Sequence, residues 1–514
     1  MPRRGLERQS SQAAERNGTN NPRILVTGAT GYVASRLLPR LLEAGWSVRA
    51  TSRKPDDIGR RHPGVEAIPS DLQDEASLEK VLADIDVAYY LVHSMGSKGF
   101  AGMDKKAAEN FARAAAVAGV KRVVYLGGLG SHDDTLSQHL ESRHEVGRIL
   151  AEGTVPVLEF RAAIVIGSGS VAFEMLRHLT ERLPVMIAPR WLATRIQPIG
   201  EWDLTSYLMA GATADLEDSH VVEVGGRDAL TYKQMILEYA SVRGLRRVII
   251  GVPVLTPRLS SYWVNLVTPV KSSISRPLID GLRNEVVVED DSAKRIWPEI
   301  DPVGYREAVE QAMRRQIGFL DTPADPELTP PPGSLDGMLF DTQRAASGAE
   351  EERLGREIAG IGGNSGWYPL RWAWWIRARI DDAVGGTGLR WERPQGPLRV
   401  GQRVDWWTVE DTGPDRLLLK AEMKVPGEAW VEFRVVDADP GSELRQTAYF
   451  RPRGLLGRLY WWGLWPFHIS IFSLMAKRLA RRAEFGGSGR KYTWQWFREK
   501  VGRHNGQGVD VRRR

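Results

Sequence analysis

Cysteine is absent from the 514-residue chain, so no disulfide, thiol nucleophile or cysteine metal site can form, which fits a reducing compartment. The nine histidines are scattered without paired spacing beside carboxylates, and no metal site is expected. The first twenty-two residues lack an apolar core and are polar and basic, which excludes a signal peptide there. Residues 1–22 therefore read as a disordered tail, because they hold too little apolar surface to offset the entropy of ordering. Hydrophobic residues at 42% and charged residues at 26% exclude a wholly disordered, collagen-like or coiled-coil chain.

The net charge of +6 is unevenly spread. Residues 451–514 hold fifteen basic and three acidic side chains, and everything before them sums to −6. Apolar and aromatic residues accompany that basic end, so an anionic membrane surface is a better-matched partner than nucleic acid, for which no base-reading motif appears. The expected location is cytoplasmic, with membrane association left open.

Order is expected to begin with the apolar run Ile24-Leu25-Val26, followed by Thr27-Gly28-Ala29-Thr30-Gly31-Tyr32-Val33-Ala34. Val33, Leu37, Leu38, Leu41 and Leu42 then recur at helical spacing, and a second strand follows at 48–51. In such a strand–turn–helix, Gly28 permits the tight turn, Gly31 lets main-chain amides approach a pyrophosphate, and Ala34 lets the helix pack on the strand. The helix N-terminus supplies the anion site. Further strands are expected at 65–68, 87–92, 122–126 and 157–166, separated by helices, which predicts an α/β Rossmann-type, doubly wound parallel sheet. After the second strand come Thr51, Ser52, Arg53 and Lys54, with no acid to accept from a ribose hydroxyl. NADP(H) is therefore favoured, with Ser52 and Arg53 on the 2′-phosphate, while Asp56 and Asp57 keep NAD(H) open.

This fingerprint, with Ser70-Asp71-Leu72 and Tyr89-Tyr90-Leu91-Val92-His93-Ser94-Met95, resembles the atypical extended short-chain dehydrogenase/reductases. That group includes NmrA-like proteins and relatives of an accessory subunit of NADH:quinone oxidoreductase. The resemblance covers about residues 22–320 and implies that Asp71 and Leu72 lie by the adenine and Val92 and His93 along the cofactor. Asp71 as a helix cap is the alternative. The family's tyrosine and lysine, four positions apart, correspond here to His139 and Arg143. A helix would keep both on one face, and the arginine would favour the neutral imidazole. Residues 127–130 read Gly-Gly-Leu-Gly where the family commonly places a serine, and Ser131 is the nearest replacement. Two readings stay open: a reductase of a carbonyl, enone or quinone with an altered His-x-x-x-Arg pair, or a non-catalytic NADPH-binding redox sensor or assembly factor. His139 and His144 as surface helix residues, and Arg161 as a buried ion partner, are the bland alternatives. A small substrate lobe is expected mainly over 185–320, with short strands near 195–199 and 221–226.

Residues 321–333 hold five prolines, and 321–340 reads as a stiff linker. Thirteen of the eighteen tryptophans lie between positions 367 and 496. Strands are expected at 403–409, 416–423, 429–436 and 444–450, divided by turns at 412–414, 425–427 and 439–441. An antiparallel meander followed by a long apolar segment resembles the helix-grip fold of START and polyketide-cyclase-like proteins. It also resembles the uncharacterised DUF2867-type domain that follows some dehydrogenase modules. The resemblance implies an α+β domain over 341–500, ahead of a basic tail at 501–514, with a cavity for an apolar ligand. Trp406, Trp430, Trp461 and Trp465 either line that cavity or fill a core. Residues 459–476 carry no acid, lysine or arginine and lie between basic clusters. They read as the grip helix in preference to a membrane span, because Pro466 would break a span and the sheet would be left uncovered.

Overall fold

The computed structural model describes residues 21–94, 99–130, 136–188, 190–251, 268, 272–282, 284–318, 334–335, 337–363, 369–386 and 392–485. The chain divides into two compact units, Met1–Phe319 and Leu320–Arg514. Ser131, Met95, the proline-rich stretch 321–333, residues 1–20 of the expected N-terminal tail and the expected tail at 501–514 fall outside the described residues.

The first unit is built on a seven-stranded parallel sheet. Its strands are β1 (Arg23–Thr27), β2 (Ser47–Ser52), β3 (Glu66–Pro69), β4 (Val87–Tyr90), β5 (Arg122–Gly128), β6 (Val157–Ala162) and β7 (His220–Val224). Their spatial order is β7-β6-β5-β4-β1-β2-β3. The strand order reverses between β1 and β4, which makes a crevice at their carboxyl ends. Ile24, Leu25 and Val26 are fully buried because both faces of β1 are covered. Ile24 and Val26 pack against α1 (Tyr32–Glu43) and α7 (Glu201–Ala212). Leu25 packs on the opposite face with α3 (Glu75–Leu82), α4 (Phe100–Val117) and α5 (Gln138–Ala151). Between α1 and α3 a short helix, α2 (Asp56–Arg61), follows β2.

One expectation needs correction here. Residues 221–224, read as part of the lobe, are β7, the edge strand of the main sheet, paired in parallel with β6. The expected strand at 157–166 is likewise two elements: β6, and Val165–Ile166, which pairs with Ile199–Gly200. The lobe itself combines that pair with two others, Arg195–Ile196 with Leu230–Thr231 and Val185–Ala188 with Val248–Gly251. Around these lie α6 (Val171–Arg182), α8 (Tyr232–Val242) and α9 (Tyr305–Gly318).

A buried ion pair lies on β6, close under α5. Arg161 Nε lies 2.8 Å from Glu159 Oε1, both on β6 and both buried, so Arg161 is a structural ion partner. The Glu159 carboxylate fits only because β5 and α5 present glycine to it. A Cβ at Gly127 would lie 2.6 Å from Glu159 Oε1, and one at Gly147 would lie 2.2 Å from Glu159 Oε2.

The second unit is an antiparallel sheet with a long helix packed on one face, an α+β arrangement. Its main strands are β8 (Met338–Ser347), β9 (Trp407–Thr412), β10 (Arg416–Ala421), β11 (Gly427–Asp437) and β12 (Ser442–Pro452). With the short edge strands the order runs Ser334–Leu335, β8, β12, β11, β10, β9, Arg403–Val404. Three helices complete it: α10 (Glu351–Ala359), α11 (Arg371–Ala383) and α12 (Gly454–Phe485). Strand β8 overlaps the expected linker at 321–340, so the sheet begins before residue 341. The expected strand 403–409 is broken at Asp405, whose φ of 57° turns the chain while its Oδ1 accepts from the Gly363 amide at 3.0 Å. Trp406 and Trp461 are buried in the core between sheet and helix, and half-buried Trp465 packs against it. Trp430 points from the other face of the sheet and donates to Glu410 Oε2 at 2.9 Å. Helix α12 runs through Pro466, whose ring is exposed on the outer face, so that residue does not end it. Among the described residues no helix is long and apolar enough to cross a membrane.

Candidate functional site

The turn after β1 is shaped by close approach. Gly28 has a φ of 64°, and a Cβ there would lie 2.9 Å from both the Leu91 carbonyl oxygen and Val92 Cγ2 at the end of β4. Gly31 caps α1 without any side-chain hydrogen bond to the helix amides, and Thr30 and Gly31 are exposed. The first turn of α1 thus keeps its amide dipoles open to an anion. The neighbouring fingerprint residues do other work. Thr27 is buried, its hydroxyl donating to the Tyr89 carbonyl at 2.9 Å and accepting from the Leu91 amide at 3.2 Å. Ala34 and Leu72 lie in the core, so the side chain of Leu72 is not presented to a ligand.

The ends of β2 and β3 are drawn together by the Ser70 amide, which donates to the Ser52 carbonyl at 3.1 Å. Arg53 stands exposed beyond β2 and forms no ion pair among the described residues, while the Ser52 hydroxyl accepts from the Lys54 amide at 3.2 Å. Asp71 is exposed and accepts from the Gln73 amide at 3.0 Å. It does not cap the following helix; Asp74 does, accepting from the Ala76 amide.

Beyond the turn lies a cavity of about 600 Å³ reached by Tyr32, Val33, His93, His139 and Arg143 together. Its other walls are aliphatic, among them Leu129, Ile164, Met175, Leu176, Ile236 and Val286. His139 and Arg143 share one face of α5, as their spacing requires. The His93 and His139 rings approach to 5.9 Å between centroids. The Arg143 guanidinium donates to the Leu126 carbonyl and lies 5.7 Å from the centre of the Tyr125 ring. Burial pushes His139 down to about 4, and the Arg143 charge adds to the fall. His93 keeps accessible surface, yet the surrounding protein, then Arg143 and His139, push it down to about 3. Both imidazoles are therefore neutral at pH 7. Neither His139 nor His144 is a surface residue: His144 is buried, with Nε2 3.0 Å from the Gly128 carbonyl oxygen.

One group the sequence does not announce is the link between Tyr32 and Glu201. The Tyr32 hydroxyl donates to Glu201 Oε2 from the start of α7, and Arg36 Nε lies 3.3 Å from the same oxygen. Burial and the carboxylate raise the phenol well above its ordinary value. Tyr32 is thereby held protonated in the wall of the cavity, its hydroxyl committed to Glu201.

Residues 28–154 match the model of an NAD(P)H-binding family. The first unit carries an NAD(P)H-binding domain. Residues 336–475 match a protein family of unknown function, DUF2867. The chain is 25% identical over 229 residues to the (4-alkanoyl-5-oxo-2,5-dihydrofuran-3-yl)methyl phosphate reductase of Streptomyces griseus, covering 43% of this chain and 74% of that protein. Ceramide reductase of Caulobacter vibrioides is 24% identical over 234 residues, or 45% and 73% of the two chains. Among solved structures, the Citrobacter sp. triphenylmethane reductase complexed with NADP(H) aligns at 18% identity and a TM-score of 0.47, over 56% of this chain and 99% of that one.

The NAD(P)H-binding domain offers a cradle that suits the cofactor: a backbone approach at Gly28 that any Cβ would fill, and an uncapped helix end at Gly31. Arg53 is an exposed cation suited to a 2′-phosphate, with exposed Lys54 beside it. Arg53→Asp is expected to weaken NADPH binding by about tenfold or more and to leave NADH binding little changed, since a charge-assisted contact contributes about 1.5–3 kcal/mol. Fluorescence titration with each cofactor checks this; equal losses for both would refute the assignment.

Proposed function

We infer that this protein is an NADPH-dependent reductase acting on the carbonyl, enone or quinone of an apolar substrate. The observation that carries the reading is the cavity itself, a largely aliphatic chamber in which His93, His139 and Arg143 lie close to one another. Such a chamber favours a hydrophobic body with one polar reacting group. The names of its relatives as reductases support turnover over binding alone.

The bound cofactor supplies hydride. Within the cavity Arg143 is a fixed positive charge and His139 a neutral imidazole, and the two suit the negative charge that grows on a carbonyl oxygen under reduction. Because burial holds His139 neutral, its part is to donate a hydrogen bond through its ring N–H and relay a solvent proton to the alkoxide, in place of the charged-acid role its residue type suggests. Tyr32 and Val33 close the wall beside the helix end, and the aliphatic side chains exclude water. The sheet-and-helix layout of the second unit is taken as that of a helix-grip domain.

The test is NADPH consumption with a panel of apolar aldehydes, enones and quinones. Wild type is expected to turn over at least one class, and His139→Ala to lose about 100-fold or more in kcat while still binding NADPH. Tight NADPH binding with no turnover on any class would defeat the reading in favour of a sensor.

A further inference from the structure

Between Leu455 and Ala476 helix α12 is largely apolar on both its inner and outer faces, which a helix on a protein surface ordinarily is not. Its inner face buries Trp461, Phe472, Met475 and Leu479 against the sheet. Its outer face carries Leu456, Leu459, Trp462, Phe467 and Leu474, which are 73%, 60%, 57%, 64% and 46% exposed. Across residues 455–476 the single charged side chain is Arg458. At about 1.5 Å per residue this apolar face runs roughly 33 Å. Exposed Lys477, Arg478 and Arg481 follow it, and Arg453 precedes it. A second helix of the same unit repeats the composition: on α11, Trp372 and Trp375 are 63% and 62% exposed, with Ile376, Ile380 and Arg379 also outward.

We propose that the outer face of α12 docks on the surface of an anionic phospholipid bilayer, lying in the plane of the headgroups. Spanning is ruled out by the inner face of α12, which is packed on its own sheet. Exposed tryptophans between an aliphatic stripe and basic ends match the polarity gradient of the lipid–water boundary, where indole rings and arginines are favoured. Charge decides between lipid and a second copy of the chain. Both ends of the face are basic, and the sole acid on α12 is Glu484, past the apolar stretch. Pairing two copies, parallel or antiparallel, would bring arginines and lysines together, whereas an anionic surface complements both ends. The proposal stands on the second unit alone and does not depend on turnover in the first.

The experiment is flotation of the full-length protein with phosphatidylglycerol-containing vesicles and with pure phosphatidylcholine vesicles. Wild type is expected to bind the anionic vesicles at least about tenfold more tightly, and to weaken as salt is raised to about 0.5 M. A Leu459→Glu, Phe467→Glu double variant should lose about tenfold or more of that binding while retaining its NADPH affinity and melting temperature, since both side chains are exposed. Absence of vesicle binding, or binding that ignores lipid charge, would overturn the proposal. So would a lipid-free dimer in analytical ultracentrifugation that the same double variant abolishes, because the face would then belong to a second copy.

Discussion

Replacing Gly28 by valine is expected to lower NADPH affinity by about 100-fold or more and to reduce the melting temperature of the protein. Two independent costs act together. A φ of 64° puts a β-branched residue in the left-handed region, at about 1–2 kcal/mol or above. The new Cβ would also press on the Leu91 carbonyl and Val92 Cγ2, each 2.9 Å away. The carbonyl is backbone, so it cannot swing aside, and relief requires the ends of β1 and β4 to part at the crevice where the cofactor belongs. Gly31→Ala is the milder comparison, because its Cβ would meet only the Gly28 carbonyl at 3.0 Å. Calorimetric titration and thermal melts on the two variants check the ordering. Wild-type NADPH affinity in Gly28→Val would show that the pyrophosphate lies elsewhere.

Arg143→Leu is expected to cut kcat by about 100- to 1,000-fold with a smaller change in KM, the size seen when one preorganised donor to a developing oxyanion is removed. Among the described residues lining the cavity, Arg143 is the single permanent cation. Leucine keeps most of its apolar volume and removes its charge. The substitution also carries a signature in pH. Arg143 is the second of two causes holding His139 near 4, burial being the first. Without it the imidazole takes up its proton at a higher pH, so the inflection that His139 gives the rate profile moves upward. A variant that loses rate with an unmoved inflection would separate Arg143 from His139.

The first half of the Rossmann sheet is legible because β1 and β4 are buried on both faces and therefore carry unbroken apolar runs. Strand β7 is not legible in that way. Its five residues return to the sheet after the lobe has intervened, and only tertiary pairing with β6 shows where they belong. Strand β8 is hidden for a different reason. Asp341 is buried on the helix-facing side of the sheet, in register with Ala448, so the alternation that marks a half-buried strand is broken by a polar residue. Within the site, His139 and Arg143 are local and their shared face follows from spacing. The approach of His93 to His139, and of Tyr32 to Glu201 across 169 positions, arises from topology and leaves no local mark.

The carboxylate of Glu159 leaves no room for a methyl group at Gly127 or Gly147, and it is paired with Arg161. An alanine arriving at either glycine by chance would push Glu159 away and break a buried ion pair, a loss of about 3–5 kcal/mol. These four positions can drift over evolutionary time only as a set. Descendants that give up the glycines should be found to have surrendered the acid and the base as well.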